Sequence, residues 1–430
     1  MSDRMLESRT ASRRVFLGRF AAACGASAVP RFVRAQPTAA NERLGIGVIG
    51  TGGMGSSHLD WHLSRDDVRV VALCDVDQRH LDAARSKTGG KCPAFRDFRE
   101  LLSRPDVDAV VIAAPDHWHG LIAVAAAQAG KHIYCEKPLT NSIAEGRAVC
   151  RAVKRAEVVL QTGSHERSSP GAQLARRLVE SGRLGEIRRV RIHLPTNDPH
   201  LLEVKNLQAP PPEMPVPAEL DYDFWLGHAP LAPYTEKRCH FWWRFHSAYG
   251  GGEMTDRGAH VIDLAQMILG RDDTGPVRIE AAGEVSPSGF YDAFLQFRFE
   301  NRYPDGVVMT GDNTGPRGVL FEGAEGKLFV EVHGGALTAE PAALLEGFAL
   351  SEGNPYELHR RQFLAAIRTG AAVAAPAEAG HRTATICHLN TLSLRLGRAF
   401  DWDPTTERST DDEENARLPP HMRAPWALDA

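Results

Sequence analysis

One stretch decides the fold: Gly45-Ile46-Gly47-Val48-Ile49-Gly50-Thr51-Gly52-Gly53-Met54-Gly55. Its apolar run, residues 46–49, is typical of a buried strand, and a helical pattern follows over residues 56–64. A strand that runs into Gly-x-Gly-x-x-Gly and then into a helix is the setting in which this motif binds a dinucleotide. In order, the glycines permit a tight turn, close approach of a pyrophosphate and close packing of the helix on the strand.

The expected cofactor contacts begin in this turn. Free N–H groups at the helix start and the positive end of its dipole favour phosphates, so we assign to the cofactor Gly50, Gly52, Gly53, Met54 and Gly55. The next strand, residues 68–74, ends in Asp75. At this distance from the motif an acidic residue hydrogen-bonds the adenosine ribose and repels a 2′-phosphate. The sequence therefore predicts NAD, and Arg79 leaves the use of NADP open.

The order of the elements predicts two domains, for which 430 residues with 43% hydrophobic content suffice. Strands and helices alternate over residues 43–163, which predicts an N-terminal Rossmann domain with a doubly wound parallel sheet. Residues 164–400 predict a substrate-binding α+β domain with a large open, mostly antiparallel sheet. Within it, residues 195–217 are expected to form a long irregular loop. Residues 401–430 are acidic and then proline-rich, and predict a C-terminal tail or arm.

Residues 1–35 resemble a twin-arginine signal peptide, so we expect a periplasmic or extracytoplasmic protein. Ser12-Arg13-Arg14-Val15-Phe16-Leu17 is the arginine pattern, and Val33-Arg34-Ala35 has the spacing of a cleavage site. An ordinary basic N-terminus is the alternative. The apolar run between the two motifs is too short to span a bilayer. A net charge of −4 disfavours nucleic-acid and anionic-membrane partners.

Four motifs in order resemble the glucose–fructose oxidoreductase / inositol dehydrogenase (Gfo/Idh/MocA) family: the glycine turn, Pro115-Asp116-His117-Trp118-His119, Ala129-Gly130-Lys131-His132 and Glu136-Lys137-Pro138-Leu139. The resemblance implies that Lys137 reaches the reacting hydroxyl or carbonyl and the nicotinamide ribose, and that the Lys137–Pro138 peptide is cis. Ligands of doubly wound sheets bind at the carboxyl ends of the strands, so the cofactor set also includes Pro115, His117, Trp118, His119, Glu136 and Lys137. Alternating histidines after a strand are more typical of stacking or capping than of a metal pair, and no metal is predicted.

A second motif supplies the expected acid–base chemistry. After Gly250-Gly251-Gly252, Asp256 and His260 are spaced i, i+4, which puts both on one face of a helix. This resembles the family's second catalytic motif and implies that His260 is the general base or acid on the substrate hydroxyl. Asp256 would orient it or relay the proton, and an imidazole suits that task. The predicted catalytic residues are therefore Lys137, Asp256 and His260, and the predicted substrate site adds Arg167 and Trp243.

The sequence thus predicts an exported oxidoreductase acting on the CH–OH groups of a sugar, polyol or related cyclic alcohol. Because free NAD is scarce outside the cytoplasm, we expect a tightly bound cofactor and a net reaction that can be redox-neutral. Two alternatives stay open: an NAD-dependent glycosidase that acts by transient oxidation and elimination, and a non-catalytic nucleotide-binding sugar sensor. The resemblance also implies a homo-oligomer, a dimer or tetramer, with one face of the second sheet as an interface.

Overall fold

Two β-sheets, one parallel and one mostly antiparallel, organise residues 43–428, which are the residues that the computed structural model describes. The predicted signal peptide, residues 1–35, lies outside the described residues. The predicted fold class is confirmed: a Rossmann-type parallel sheet comes first and a large, mostly antiparallel sheet follows. Within residues 43–428, every helix is too short or too polar to cross a membrane.

The first sheet has six strands: β1 Leu44–Ile49, β2 Val68–Cys74, β3 Ala94–Phe95, β4 Ala109–Ile112, β5 His132–Cys135 and β6 Leu160–Thr162. Their spatial order is β3-β2-β1-β4-β5-β6, and every neighbouring pair is parallel. The strand order therefore reverses next to β1, and ligands of such sheets bind outside the carboxyl ends at that point. The glycine turn follows β1 at this edge.

Five helices belong to this half: α1 Gly53–Leu63, α2 Gln78–Lys87, α3 Phe98–Leu102, α4 Asp116–Gln128 and α5 Ile143–Ala156. The sequence pattern places the start of α4 at Leu121, but the helix begins at Asp116, directly after Pro115. A proline that precedes the first turn does not interrupt a helix, because its missing N–H lies where no intrahelical partner exists. His117, Trp118 and His119 are therefore helical residues rather than loop residues.

The second sheet contains the strands β7 Ile187–His193, β8 Arg278–Val285, β9 Phe294–Arg302, β10 Val308–Asp312, β11 Gly318–Gly323, β12 Gly326–Glu331, β13 Leu337–Glu340, β14 Phe400–Asp403 and β15 Arg408–Ser409. Their order is β13-β12-β11-β7-β10-β9-β8-β14-β15. Among the described strands of this second sheet, only the β7–β10 pair is parallel. In β9, Leu295, Phe297 and Phe299 are buried, while the alternate residues Gln296 and Arg298 are exposed. One face of the sheet thus packs on helices and the other carries polar side chains.

The helices of the second half are α6 Pro170–Glu180, α7 Pro199–Asn206, α8 Tyr222–Leu226, α9 Glu253–Asp256, α10 Gly258–Ile268, α11 Pro355–Thr369, α12 Ala377–Leu396 and α13 Asp412–Asn415, with short 3-10 helices at His165–Ser168, Trp242–Phe245 and Ala342–Leu345. α6, α10 and α12 contribute to the apolar core that covers the sheet. The predicted irregular loop contains α7, because Asp198 accepts a hydrogen bond from His200 N as its N-cap and Pro199 occupies the first position.

The predicted tail or arm, residues 401–430, is corrected in its first part, because β14 and β15 extend the second sheet. Residues 418–428, which we call the C-terminal arm, pack back onto the first half of the chain. Met422, Trp426 and Leu428 contact the apolar cluster between the parallel sheet and α4. The ring of Trp426 lies 4.8 Å from that of Trp118, edge to face. Arg423 donates a hydrogen bond to the carbonyl oxygen of Gly227 at 2.9 Å. The end of the described chain is therefore part of the wall around the first domain.

Candidate active site

The glycine turn has the geometry that a dinucleotide needs. Gly50 has φ +81°, which a residue with a side chain rarely adopts. A Cβ at Gly55 would overlap the carbonyl oxygen of Gly50, so helix α1 can approach the turn only because residue 55 is glycine. Among the described residues no side chain caps the first turn of α1, and a Cβ at Gly53 would meet open space. The N–H groups at the start of α1 therefore face a free cradle.

Asp75 lies beside this cradle at the end of β2. Its Oδ2 accepts hydrogen bonds from Thr51 N at 2.7 Å and Thr51 Oγ1 at 3.1 Å, and its Oδ1 accepts one from Asp77 N. Asp75 lines the same cavity as Gly50 and Gly52. A carboxylate fixed in this place can accept hydrogen bonds from ribose hydroxyls. Together with the open N-terminus of α1, this geometry fits NAD.

A cavity of about 340 Å³ extends from the glycine turn to the second domain. Its lining combines the carboxyl edge of the parallel sheet with aromatic and charged side chains from residues 220–256. Of the predicted site residues, it is lined by Gly50, Gly52, Gly53, Met54, Asp75, Pro115, Trp118, His119, Glu136, Lys137, Trp243 and Asp256.

Residues 219–245, which we call the strap, reach from the second domain to the loop after β2. Leu220 pairs with Asp77 as an isolated antiparallel bridge. Gln78 N donates to Glu219 O at 2.9 Å, and Asp221 N donates to Val76 O at 3.0 Å. Farther along the strap, His240 Nε2 lies 3.6 Å from Asp77 Oδ2. The strap therefore covers the side of the cavity that Asp75 lines.

Lys137 and Asp256 connect the two domains inside the cavity. The Lys137 ammonium donates to Asp256 Oδ1 and to the backbone carbonyl of Asp256, both at 2.7 Å. Burial raises the pKa of Asp256, but the charges of Lys137 and Arg244 outweigh it and hold the pKa below its usual range. The Lys137–Pro138 peptide bond is cis, as the resemblance implies. The ionised carboxylate thus fixes the amine of Lys137 at the cleft.

Asp256 does not orient His260 in the way the i, i+4 spacing suggests. The helix is interrupted at Arg257, since α9 ends at Asp256 and α10 begins at Gly258. The carbonyl of Asp256 is therefore available to Lys137, and its carboxylate is engaged there too. The two side chains of the motif consequently contact different groups: Asp256 binds Lys137, and His260 packs against His165 and His333.

His260 is buried in a group of three imidazoles and, unlike Lys137 and Asp256, is not among the residues that line the cavity. Its ring centroid lies 4.9 Å from that of His165 and 4.9 Å from that of His333. Burial lowers the pKa of His260 well below its ordinary value, and the charges of Lys137, His165, His333 and Arg317 lower it further. The imidazole is neutral at physiological pH and can accept a proton.

Glu136 forms the floor of the cavity next to Lys137. Its Oε1 lies 2.8 Å from His58 Nε2 on α1. Burial raises the pKa of Glu136, but the hydrogen bond with His58 and nearby positive charges lower it to about 2. Burial lowers the pKa of His58, so a neutral imidazole donates to an ionised carboxylate. This pair ties the cofactor helix to the lysine motif.

The histidine motif contributes unequally to the cavity. His119 lines it and bridges two strand ends, with Nδ1 2.8 Å from Pro138 O and Nε2 2.9 Å from Ala114 O. His117 was expected at the cofactor, but it is fully buried and its Nε2 contacts the carbonyl of Trp225 at 3.1 Å. Because α4 already begins at Asp116, the side chains of 117 and 119 point in different directions around the helix. His117 is therefore a packing residue.

Arg167 also differs from the prediction. Its guanidinium is fully buried and forms two-pronged hydrogen bonds with Asp263 and with Asp272 at 2.6–2.8 Å. All of its strong contacts are inside the second domain, so we correct its assignment from substrate binding to structural support. The sequence suggests a free arginine after a crossover strand, and its two partners are distant in sequence.

The structure adds residues that the sequence prediction omits. Asp116 lines the cavity, and burial raises its pKa well above the ordinary value even though Lys137 and Arg244 oppose this. Arg244 lies over the ring of Trp243 at 4.5 Å and 3.5 Å from Asp256 Oδ1. Asp116 stands within the quoted Pro115–His119 motif and Arg244 directly follows the predicted Trp243, so the sequence offered a local signal for both. For His165 and His333 the sequence offered no signal, because they lie in separate elements far apart along the chain.

Comparison with known proteins supports this geometry. Residues 44–164 match the family model described as "Oxidoreductase family, NAD-binding Rossmann fold", and residues 171–428 match "Oxidoreductase family, C-terminal alpha/beta domain". The first domain is thus an NAD-binding Rossmann domain.

Among similar sequences is the myo-inositol 2-dehydrogenase of Thermotoga maritima, 29% identical over 53% of this chain and 55% of that protein. Another is the levoglucosan dehydrogenase of Pseudarthrobacter phenanthrenivorans, 31% identical over 53% of this chain and 52% of that protein. Each match spans about half the length of the relative.

Among solved structures, levoglucosan dehydrogenase in complex with NADH and levoglucosan has a TM-score of 0.62 at 21% identity, covering 84% of this chain and 99% of that chain. The WlbA dehydrogenase from Bordetella pertussis, in complex with NADH and UDP-GlcNAcA, has a TM-score of 0.64 at 19% identity, with 84% and 99% covered. At these identities the likeness establishes the fold.

Proposed function

The chain belongs to the Gfo/Idh/MocA oxidoreductase family, and we propose that it is an NAD-dependent dehydrogenase of a sugar, polyol or related cyclic alcohol. The relatives named above include dehydrogenases of inositol and levoglucosan. The proposal assigns the same reaction class to this chain: oxidation of a CH–OH group, or reduction of the matching carbonyl.

One observation carries the proposal. The amine of Lys137, from the NAD-binding domain, contacts Asp256 of the second domain, four residues before the buried imidazole of His260, and its charge lowers the pKa of that imidazole. The amine is held at the cavity by Asp256. An ammonium group and a neutral imidazole are the two groups that oxidation of an alcohol needs beside the hydride acceptor: one stabilises the developing oxyanion and the other takes the proton.

The nicotinamide supplies the hydride acceptor when NAD is bound. His260 takes the hydroxyl proton of the substrate, and Lys137 donates a hydrogen bond to the oxygen as negative charge develops on it. Asp256 holds Lys137 through both its carboxylate and its carbonyl, so the amine needs little reorganisation during the reaction. Trp243 and Arg244 line the cavity beside Asp256 and offer an aromatic face and hydrogen-bond donors to hydroxyl groups.

We further propose that NAD is held tightly. The strap closes one side of the cavity through backbone hydrogen bonds with residues 76–78, and the C-terminal arm supports the strap through Arg423 and Gly227. A nucleotide beneath these segments can leave only after they move. Tight retention suits a protein that works where free NAD is scarce, and it favours two half-reactions on two sugars.

Export and assembly are also proposals. The twin-arginine pattern at Arg13 and Arg14 supports export of the folded protein. Fractionation of cells that express wild type and Arg13→Lys/Arg14→Lys should find only wild type in the periplasm.

The polar outer face of the second sheet is our proposed oligomer contact. Sedimentation of wild type and of an Arg298→Glu variant should give a dimer or tetramer for the first and smaller species for the second.

A spectral screen tests the enzymatic proposal. The protein purified with its bound nucleotide is mixed with a panel of sugars and polyols, and absorbance of reduced nicotinamide is recorded. We expect at least one substrate to change the redox state of the wild type. Lys137→Ala should lose that change, and the exposed Lys154→Ala should keep it. No redox change with any compound would favour the sugar sensor, whereas release of a cleaved aglycone without net reduction would favour the glycosidase.

A further inference from the structure

Three histidines from separate elements converge beside Lys137. His165 lies in the 3-10 helix after β6, His260 in α10 and His333 after β12. One ring nitrogen of each lies within 4.8 Å of those of the other two. Chance packing of three imidazoles in a buried place is costly, because each ring carries polar nitrogens that need partners.

Two ring nitrogens of the cluster, His165 Nε2 and His260 Nδ1, are buried and make no well-directed hydrogen bond among the described residues. The third histidine opens the group to solvent, since about a third (34%) of the His333 side chain is exposed. The cluster therefore links the buried ring of His260 to the surface.

Glu166 completes the cluster. Its Oε1 lies 3.3 Å from His165 Nε2 and 3.8 Å from His333 Nε2, and the carboxylate itself is buried. A buried carboxylate between two imidazoles stabilises a proton that passes from one to the other. His165 is also stacked on Tyr356, with ring centroids 3.7 Å apart, which fixes its plane.

His260 cannot keep a proton that it has taken from a substrate. It is buried and faces the ammonium of Lys137, the imidazoles of His165 and His333, and the guanidinium of Arg317. A second positive charge here is repelled and poorly solvated. Turnover therefore needs an exit for the proton on the side away from the substrate.

We propose that His165, Glu166 and His333 form a proton relay between His260 and solvent. This inference rests on the proposed dehydrogenase function. In the oxidation direction the substrate C–H bond gives its hydride to the nicotinamide and the O–H bond gives its proton to one nitrogen of His260. The other nitrogen of His260 then releases a proton, which passes through His165 to Glu166. His333, whose exposed ring exchanges protons with water, moves its own proton from Nε2 to Nδ1, accepts the proton of Glu166 at Nε2 and gives the Nδ1 proton to water, which restores the resting tautomer. One proton leaves for each carbonyl formed, and reduction reverses the path.

Three imidazoles and a carboxylate are also a donor set for a transition metal such as Zn²⁺. The surroundings favour the relay. Arg317 Nη1 lies 3.2 Å from His333 Nδ1, and because the guanidinium can only donate, the proton of neutral His333 belongs on Nε2, facing Glu166. That nitrogen is then a donor and not a metal ligand. The charges of Lys137 and Arg317 also oppose a dication in this place.

The kinetic test uses the NAD-loaded protein and a sugar that reduces the bound nicotinamide of the wild type. Single-turnover reduction and proton release to a pH indicator are followed for wild type, His333→Ala and Glu166→Gln, with His193→Ala, at a half-buried position of β7, as the matched control. We expect reduction in His333→Ala to be slower by on the order of a hundredfold and to be restored by added imidazole, with unchanged NAD and sugar binding. An unchanged rate, or a slower rate that imidazole does not restore, would overturn the relay.

A second measurement needs no turnover, so failure of the relay and failure of the dehydrogenase proposal are separable. Long-range nitrogen–proton NMR of histidine-labelled protein should find neutral His333 protonated at Nε2, and Arg317→Ala should redistribute the proton between the two nitrogens. Elemental analysis of the same sample is the further check. A His333 protonated at Nδ1, or one equivalent of zinc whose removal changes the three imidazole spectra, would contradict the relay even if no sugar were a substrate.

Discussion

The ammonium nitrogen of Lys137 lies 2.7 Å from the carboxylate of Asp256 and 2.7 Å from its backbone carbonyl. Lys137 comes from the end of the parallel sheet and Asp256 from the last residue of α9. The pair therefore joins the NAD-binding domain to the second domain at the place where chemistry is proposed.

Asp256→Asn tests how far this contact positions the amine. The amide keeps an acceptor for Lys137 but removes the negative charge, so the amine is held less firmly. We expect kcat/KM to fall by about 10²–10³-fold with NAD binding unchanged, as measured by single-turnover kinetics and nucleotide titration. The exposed Asp273→Asn is the control. An Asp256→Asn enzyme of wild-type activity would argue against a positioning role.

Asp75→Ser tests cofactor choice. The carboxylate beside the glycine turn repels a 2′-phosphate, so its removal should raise the affinity for NADPH relative to NADH by about a hundredfold. Fluorescence titration with both nucleotides measures the ratio, and Asp82→Ser on the exposed face of α2 is the matched control. A ratio that does not move would mean that Asp75 takes no part in the choice.

Arg167→Ala tests the corrected assignment of this residue. Removal of the guanidinium leaves the buried carboxylate of Asp263 without its partner, and we expect the free energy of unfolding to fall by about 3–5 kcal/mol. Urea denaturation measures the loss, with Arg167→Lys as a milder variant and the exposed Arg176→Ala as the control. If Arg167→Lys instead raised KM with stability intact, the residue would belong to the substrate site after all.

His240→Ala tests the strap. The imidazole contacts Asp77 and lies edge to face against His80, with ring centroids 5.1 Å apart. Its loss should increase the dissociation rate of NADH about tenfold, equivalent to about 1.4 kcal/mol, while kcat for saturating nucleotide changes little. Stopped-flow displacement of bound NADH measures this rate, and His193→Ala, at a half-buried position of β7, should behave as wild type.

Glu145 gives the protein a stability that depends on pH. Burial raises its pKa to about 8, although Ser142 donates a hydrogen bond that opposes this. An unfolded chain ionises Glu near pH 4.3, so between the two values the unfolded state binds fewer protons than the folded state. The sign is therefore a loss of stability as pH rises through this window, by about 1.4 kcal/mol per pH unit.

Urea denaturation from pH 5 to pH 8 compares wild type with Glu145→Gln. The variant lacks the titrating group but keeps a side chain that bonds Ser142. Its free energy of unfolding should therefore decline less steeply with pH, by about 1.4 kcal/mol per pH unit, which is the contribution of one proton. Equal slopes for the two proteins would mean that Glu145 is already ionised in the fold.

The first domain was accessible to sequence reasoning because its signals are local. A strand, a glycine turn and a helix lie in one continuous stretch, residues 44–63. Asp75 is recognisable from its distance to the glycine motif. The Lys137–Pro138 motif follows a strand in the same way. The cis peptide there was implied by resemblance and is found in the structure.

Side-chain contacts between residues that are distant in sequence could not be predicted from the sequence. Arg167 looked free because Asp263 and Asp272 are far along the chain, and His117 looked like a cofactor contact because the helix start at Asp116 shifts the directions of the side chains. The imidazole cluster combines residues 165, 260 and 333, which no spacing rule connects. Sequence periodicity predicts helices, strands and the residues at the carboxyl edge of a sheet. The partner of a buried charge depends instead on how elements that are distant in sequence pack together.

The edge-to-face contact of Trp426 with Trp118 has a consequence for biosynthesis. A ribosome releases the nucleotide-binding half long before it makes Trp426, so the wall of this domain stays incomplete until that residue has been made. Nascent chains should therefore acquire protease resistance in this half late.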